Sequence, residues 1–78
     1  MKELIEYIST SLVDDPTQVE VLQFRRGSQV VLQLGVAKED MGRIIGRGGK
    51  VASAMRALLR VAAAQEGKRA TLDIVEPE

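Results

Sequence analysis

The sequence predicts an α+β fold: a three-stranded mixed sheet covered on one face by three helices, in the order α-β-β-α-α-β. Three features carry that prediction. The N-terminal segment has helical periodicity. Two alternating runs follow, joined by a short glycine-containing connection. A Gly-x-x-Gly turn, Gly46-Arg47-Gly48-Gly49, then separates two helical segments ahead of one last alternating run.

From Met1 to about Val13 the apolar residues Met1, Leu4, Ile5, Ile8 and Leu12 recur at helical spacing, with Lys2, Glu3, Glu6 and Ser9 opposite. Asp14-Asp15-Pro16 ends this helix, because the residue before a proline is pushed out of the α region. Gln18–Phe24 and Gln29–Val36 read as strands. In the second, Val30, Leu32, Leu34 and Val36 share a face; the first is weaker, with Val19, Val21, Leu22 and Phe24 apolar. Arg25-Arg26-Gly27-Ser28 between them is the expected hairpin connection. Lys38–Ile45 is a short helix with Met41, Ile44 and Ile45 on its buried side. Gly42 inside it marks a close packing contact or a weak helix. After the glycine turn, Val51–Gln65 is rich in Ala, Leu, Met and Arg and carries the stripe Val51, Met55, Leu58 and Ala62. Gly67 fits a glycine stop, Ala70–Val75 alternates as a final strand, and Glu76-Pro77-Glu78 is a polar tail.

Residues 1–78 make one domain, too short to bury more than about 60% of its unfolded surface. The chain has no cysteine and no histidine, which removes disulfides, thiolate metal sites, the commonest metal ligand and the commonest general base. No cofactor is called for and no pair of carboxylates converges on a pocket motif, so an enzyme is the poorest fit. No secretory leader is expected at the N-terminus, and no apolar run approaches the ~20 residues of a membrane span, so no membrane partner is expected. Net charge is zero, but its distribution is uneven. Residues 25–56 carry seven cations (Arg25, Arg26, Lys38, Arg43, Arg47, Lys50, Arg56) against two anions, Glu39 and Asp40. A local basic excess around the turn matters more to a polyanion than the balance of the whole chain.

The turn itself points to phosphate. Glycine admits positive φ and lets a ligand approach the main chain. The first N–H groups of the helix that follows lack intrahelical partners and carry partial positive charge, so an anionic oxygen suits them. Arg47 and Lys50 add formal charge there. A nucleotide P-loop is excluded because Val51, and not Ser or Thr, follows Gly49-Lys50. A dinucleotide fingerprint is excluded by the glycine spacing.

The run Ile44-Ile45-Gly46-Arg47-Gly48-Gly49-Lys50 followed by an aliphatic helix resembles the K-homology (KH) signature. The element order resembles its bacterial, type II arrangement. Glu39-Asp40-Met41-Gly42 before the turn, Ala62-Ala63-Ala64 closing the long helix, and the short length make the whole chain similar to the small bacterial KhpA family. One departure is Gly48, where many KH loops have a longer polar side chain.

The resemblance implies a groove that clamps about four single-stranded nucleotides. Gly46 and Gly49 would allow the close approach, and Arg47 and Lys50 would be the salt links. Ile44, Ile45 and Val51 would floor the groove on the helix side, with Leu34 and Val36 on the strand side. The resemblance also implies a cytoplasmic RNA chaperone or post-transcriptional regulator. It further implies a heterodimer with a second KH protein of the Jag/KhpB type, linked to cell elongation and division, and hence to cell shape.

Blander readings stand beside these. Arg43, Arg56 and Arg60 read as solvated helix faces, Arg25 and Arg26 as exposed hairpin residues, and Asp14 and Asp15 as turn formers. Tyr7 and Phe24 are the only aromatics and neither is near the turn, so bases would lie on aliphatic surface. Ala52, Ala57, Leu59, Val61 and Ala63 lie off the long helix's main stripe, and that surplus predicts a homodimer surface. The competing functional reading is a dimerisation module in which RNA binding is secondary.

Overall fold

A computed structural model of the chain describes residues 1–75, the side chain of Arg47 excepted; the expected tail Glu76-Pro77-Glu78 lies outside them. Helix α1 spans Lys2–Leu12 and buries Ile5 and Ser9, with Met1 and Ile8 packed at the margin of the core. In its first turn the Glu3 carboxyl is held below its ordinary pKa by its own backbone N–H and, next, by the N-terminal ammonium. A 3₁₀ turn at Pro16–Gln18 takes the place of the predicted start of the first strand.

Strand β1 runs Glu20–Arg26 and β2 runs Gln29–Gly35, paired antiparallel with Arg26 opposite Gln29. Arg25 and Arg26 are therefore strand residues. The hairpin connection is only Gly27-Ser28, with the positive-then-negative φ pattern of a type II′ turn. Strand β3, Arg69–Val75, pairs parallel with β2, giving a mixed sheet of order β1-β2-β3. The pleat sends Val30, Leu32 and Leu34 to one face, beside Ala70, Leu72 and Ile74 of β3 and Val21 of β1. The helices cover this face.

Between the second and third strands the chain forms a 3₁₀ turn at Lys38–Asp40, helix α2 at Met41–Ile45, the glycine turn, and helix α3 at Lys50–Gln65. The single short helix predicted for Lys38–Ile45 is thus two pieces. Gly42 makes no close contact, since a Cβ there would meet open space. The inward stripe of α3 is Ala52, Met55, Leu59 and Ala63; of the predicted Val51, Met55, Leu58 and Ala62, Met55 alone lies on it. Together with Ile5, Ile44 and the inner sheet face, Met55, Leu59 and Ala63 form one core cluster.

Helix α3 ends as predicted at Gly67, whose φ is 68°. The Lys68 N–H donates to Ala63 O at 2.9 Å and the Gly67 N–H to Ala64 O at 3.0 Å, the bond pair of a Schellman stop. The Arg56 guanidinium donates through Nε to Leu72 O at 3.2 Å and so anchors α3 to β3. The order α-β-β-α-α-β and the one-sided helical layer are those of a type II KH domain.

Candidate nucleic-acid interface

The first glycine of the turn is fixed by two independent constraints. Gly46 closes α2 with φ 70° and ψ −173°, a region of backbone space that is essentially glycine's alone. A Cβ at this position would also lie 2.8 Å from Val51 Cβ, closer than real Cβ contacts come, and a tight 3.1 Å from Val51 N. Gly48 (φ 61°, ψ 26°) and Gly49 (φ 79°, ψ 12°) are left-handed but face open space. Gly46 therefore serves the packing of the turn, while Gly48 and Gly49 shape its surface. The Gly46 N–H donates to Gly42 O at 2.9 Å and the Gly49 N–H to Gly46 O at 3.4 Å, which knits the turn to α2.

Helix α3 leaves this turn with no side-chain N-cap and no acidic residue in its first turn. Its leading N–H groups are open to an anion, and Lys50 is exposed beside them. Gly48 is exposed as well. The side chain of Arg47, predicted as a salt link, lies outside the described residues.

The predicted apolar floor divides in two. Ile44, Leu34 and Val36 are buried in the core and leave almost no surface for a ligand. Ile45, expected on the buried side of α2, is 40% exposed and supplies the apolar surface next to Gly46. Val51 is half-buried, packed against the core and beside Gly46. In a helix as short as α2 only one of two adjacent isoleucines can face the core, and Ile44 takes that place.

Sequence reasoning missed Asp40. Its carboxylate is buried and accepts the backbone N–H of Asp14 at 3.1 Å and of Asp15 at 3.2 Å. Arg43 lies 3.5 Å from Asp40 through Nε and donates through Nη2 to Asp14 Oδ2 at 2.9 Å. This cluster ties the loop after α1 to the start of α2, and so fixes the platform that carries the turn. Arg43 is consequently committed to an ion-pair network and is not a freely solvated cation. The only signal in the sequence was an acid pair that reads as turn formers, 26 and 25 residues from Asp40, and an Arg 29 residues from Asp14. Among the described residues no cluster of carboxylates is placed to hold a metal ion, and no helix is long and apolar enough to cross a membrane.

A family model described as the KH domain of KhpA/KhpB matches residues 2–74. The chain belongs to the KhpA/KhpB KH-domain family. A KhpA from Clostridium acetobutylicum, named an RNA-binding protein, is 43% identical over 75 residues, covering 96% of this chain and all of that relative. The RNA-binding protein KhpA of Treponema pallidum is 41% identical, over 96% of this chain and 94% of the relative. That of Chlamydia trachomatis is 37% identical over 97% of both. Among solved structures, Era from Aquifex aeolicus superposes with a TM-score of 0.65 at 16% identity, over 96% of this chain. A second Era structure, in complex with MgGDPNP and a 16S ribosomal RNA fragment, gives 0.59 at 17% identity. At these identities the likeness speaks for the fold alone, and this chain spans 29% of the Era chains.

Proposed function

We propose that the domain is a non-catalytic RNA-binding protein that grips short single-stranded RNA through its helix–GxxG–helix turn. The observation that carries the reading is the uncapped N-terminus of α3, reached across a glycine turn that keeps side chains out of the way. One phosphate meets those N–H groups and Lys50. The exposed face of Ile45 and the half-buried Val51 take the neighbouring sugar and base by apolar contact. A groove of this kind clamps about four nucleotides and needs them unpaired. With few phosphates held and no aromatic platform beside the turn, binding is modest and loose in sequence preference. In this reading the protein works in the bacterial cytoplasm as an RNA chaperone or post-transcriptional regulator, as a homodimer or paired with a Jag/KhpB-type KH protein.

The test is the double substitution of Arg47 and Gly48 by Asp. Two carboxylates then face the phosphate that the helix N-terminus attracts. Both positions lie in the turn; a side chain at Gly48 meets open space, and Asp is among the residues that adopt its αL backbone at modest cost, so the fold persists. The expected outcome is loss of single-stranded RNA binding in a titration, with an unchanged circular dichroism spectrum. Unchanged affinity in the folded variant rules the clamp out.

A second reading, a dimerisation module with RNA binding secondary, is favoured by one observation. Leu58 and Val61 of α3 are 52% and 60% exposed. RNA binding that survives the double Asp substitution would support it.

A further inference from the structure

The sheet face that carries no helix has its own chemistry, ordered in rows by the strand register. Arg26, Gln29 and Arg69 pair across the three strands as one row at the hairpin end of the sheet. The next row on the same face is Phe24, Val31 and Thr71. The one after it is Leu22, Gln33 and Asp73. Successive rows are about 6.6 Å apart, two residues of strand rise. Phe24 is 47% exposed. It lines an open recess of about 470 Å³ together with Arg26, Gln29 and Asp73. A second recess of about 350 Å³ shares Gln29 and Thr71 with the first and is bordered by Arg60, Lys68 and Arg69. None of these four arginine and lysine side chains has a carboxylate within 4.0 Å among the described residues.

From these rows we infer that the open sheet face is a second contact surface for single-stranded RNA, separate from the glycine turn. Arg26 and Arg69 hold phosphate, Phe24 stacks on a base, and Gln29, Gln33 and Asp73 offer hydrogen bonds to base edges. The inference rests on the RNA reading above. Charge selects the occupant: cations that no carboxylate of the described residues neutralises, beside an exposed aromatic ring, suit a polyanion with flat bases better than an apolar protein partner. Asp73, the one acid on these rows, sits two rows from the arginines, where it can accept from a base amino group without cancelling their charge.

The two surfaces lie at opposite ends of α3. The helix leaves the turn at Lys50 and hands over to β3 through Gly67, so its 16 residues put about 24 Å between them. A strand of about four nucleotides, the length a KH groove clamps, engages the turn alone. One of about 16 nucleotides exceeds 50 Å even at the stacked spacing of 3.4 Å, against a longest molecular extent of 35 Å, and reaches both.

That length dependence is the test. Mixed-sequence single-stranded RNAs of about four and about 16 nucleotides are titrated against the wild type, Arg26→Glu/Arg69→Glu and Phe24→Ala. Both variants should bind the short RNA within about twofold of wild type. On the long RNA, the double Glu variant should lose about tenfold or more in affinity, and its salt slope should become shallower by about 1.4, two phosphates at 0.7 each. Phe24→Ala changes no charge and should still lose roughly fivefold on the long RNA, which separates stacking from general electrostatics. Wild-type affinity and slope on the long RNA in folded variants would overturn the inference, and so would variants that lose only protein association. If the wild type binds neither RNA, the proposed function fails. If the short RNA binds normally and the long one is indifferent to these residues, only the second surface fails.

Discussion

At the residue scale, the glycines of the turn are not interchangeable. Gly46 combines a backbone conformation closed to other residues with direct contact to Val51, so an added methyl group meets both penalties. Gly48 has the αL conformation that Asn tolerates, with open space beyond it. Gly46→Ala should therefore cost about 2–3 kcal/mol in urea unfolding and displace the N-terminus of α3. Gly48→Asn keeps the strain of a positive φ but meets no atom, and should cost about 1 kcal/mol or less. Equal effects at the two positions would mean that the turn tolerates side chains uniformly and that Val51 does not lock it.

At the scale of elements, the order of the α-helices and strands was legible, because each is marked by periodicity or by a stop such as Asp15-Pro16 or Gly67, whereas the 3₁₀ turns at Pro16–Gln18 and Lys38–Asp40 carry no such mark. Which of two neighbouring apolar residues faces inward was not. Ile44 is inside and Ile45 outside; Leu59 is inside and Leu58 outside; Val21 is inside and Leu22 outside. Each pair is nearly equal in hydrophobicity, so the choice falls to helix phase and strand register, which depend on partners distant in sequence. The site shares this limit: the glycines and Lys50 could be read directly, whereas the exposure of Ile45 and the burial of Leu34 and Val36 could not. Asp40 is the extreme case. Within Lys38-Glu39-Asp40 it looks like a surface charge, and only the return of the Asp14-Asp15 loop buries it. Asp40→Ala leaves two backbone N–H groups without their acceptor and removes one of the two carboxylates beside Arg43, and should cost about 2–4 kcal/mol. Arg43→Ala removes the contacts of a half-exposed guanidinium to Asp14 and Asp40 but leaves both backbone hydrogen bonds to Asp40 in place, and should cost less, about 1 kcal/mol. Denaturant unfolding of both variants checks the ranking, and a larger loss for Arg43 would move the anchor from the buried carboxylate to the ion pair.

At the scale of the whole molecule, the outward side of α3 remains without a partner within one chain. Ala54, Leu58 and Val61 recur at i, i+4 and i+7 on that side, and all are exposed. Removing this stripe from water against a second copy gains about 25 cal/mol per Å² of apolar area, reduced by the cost of association. Homo-oligomers most often close as two-fold pairs, in which one patch meets itself, and a single helical stripe suits that geometry. Position along the helix also decides whether such a pair leaves RNA room. Val61 lies 11 residues beyond Lys50, about 16 Å along the helix axis. A contact centred on Leu58 and Val61 therefore leaves the glycine turns of both copies open. Two open turns on one particle would bind a long single strand with avidity, without any new contact. Sedimentation over a concentration series should show a monomer–dimer equilibrium in the micromolar range. Val61→Asp should shift it to monomer while affinity for an RNA of about four nucleotides stays the same, because the substituted residue is remote from the turn. A wild type that remains monomeric at high micromolar concentration, or a Val61→Asp protein that dimerises normally, would remove α3 as the interface. Loss of short-RNA binding in the Val61→Asp monomer would instead mean that the clamp is completed across the two-fold axis.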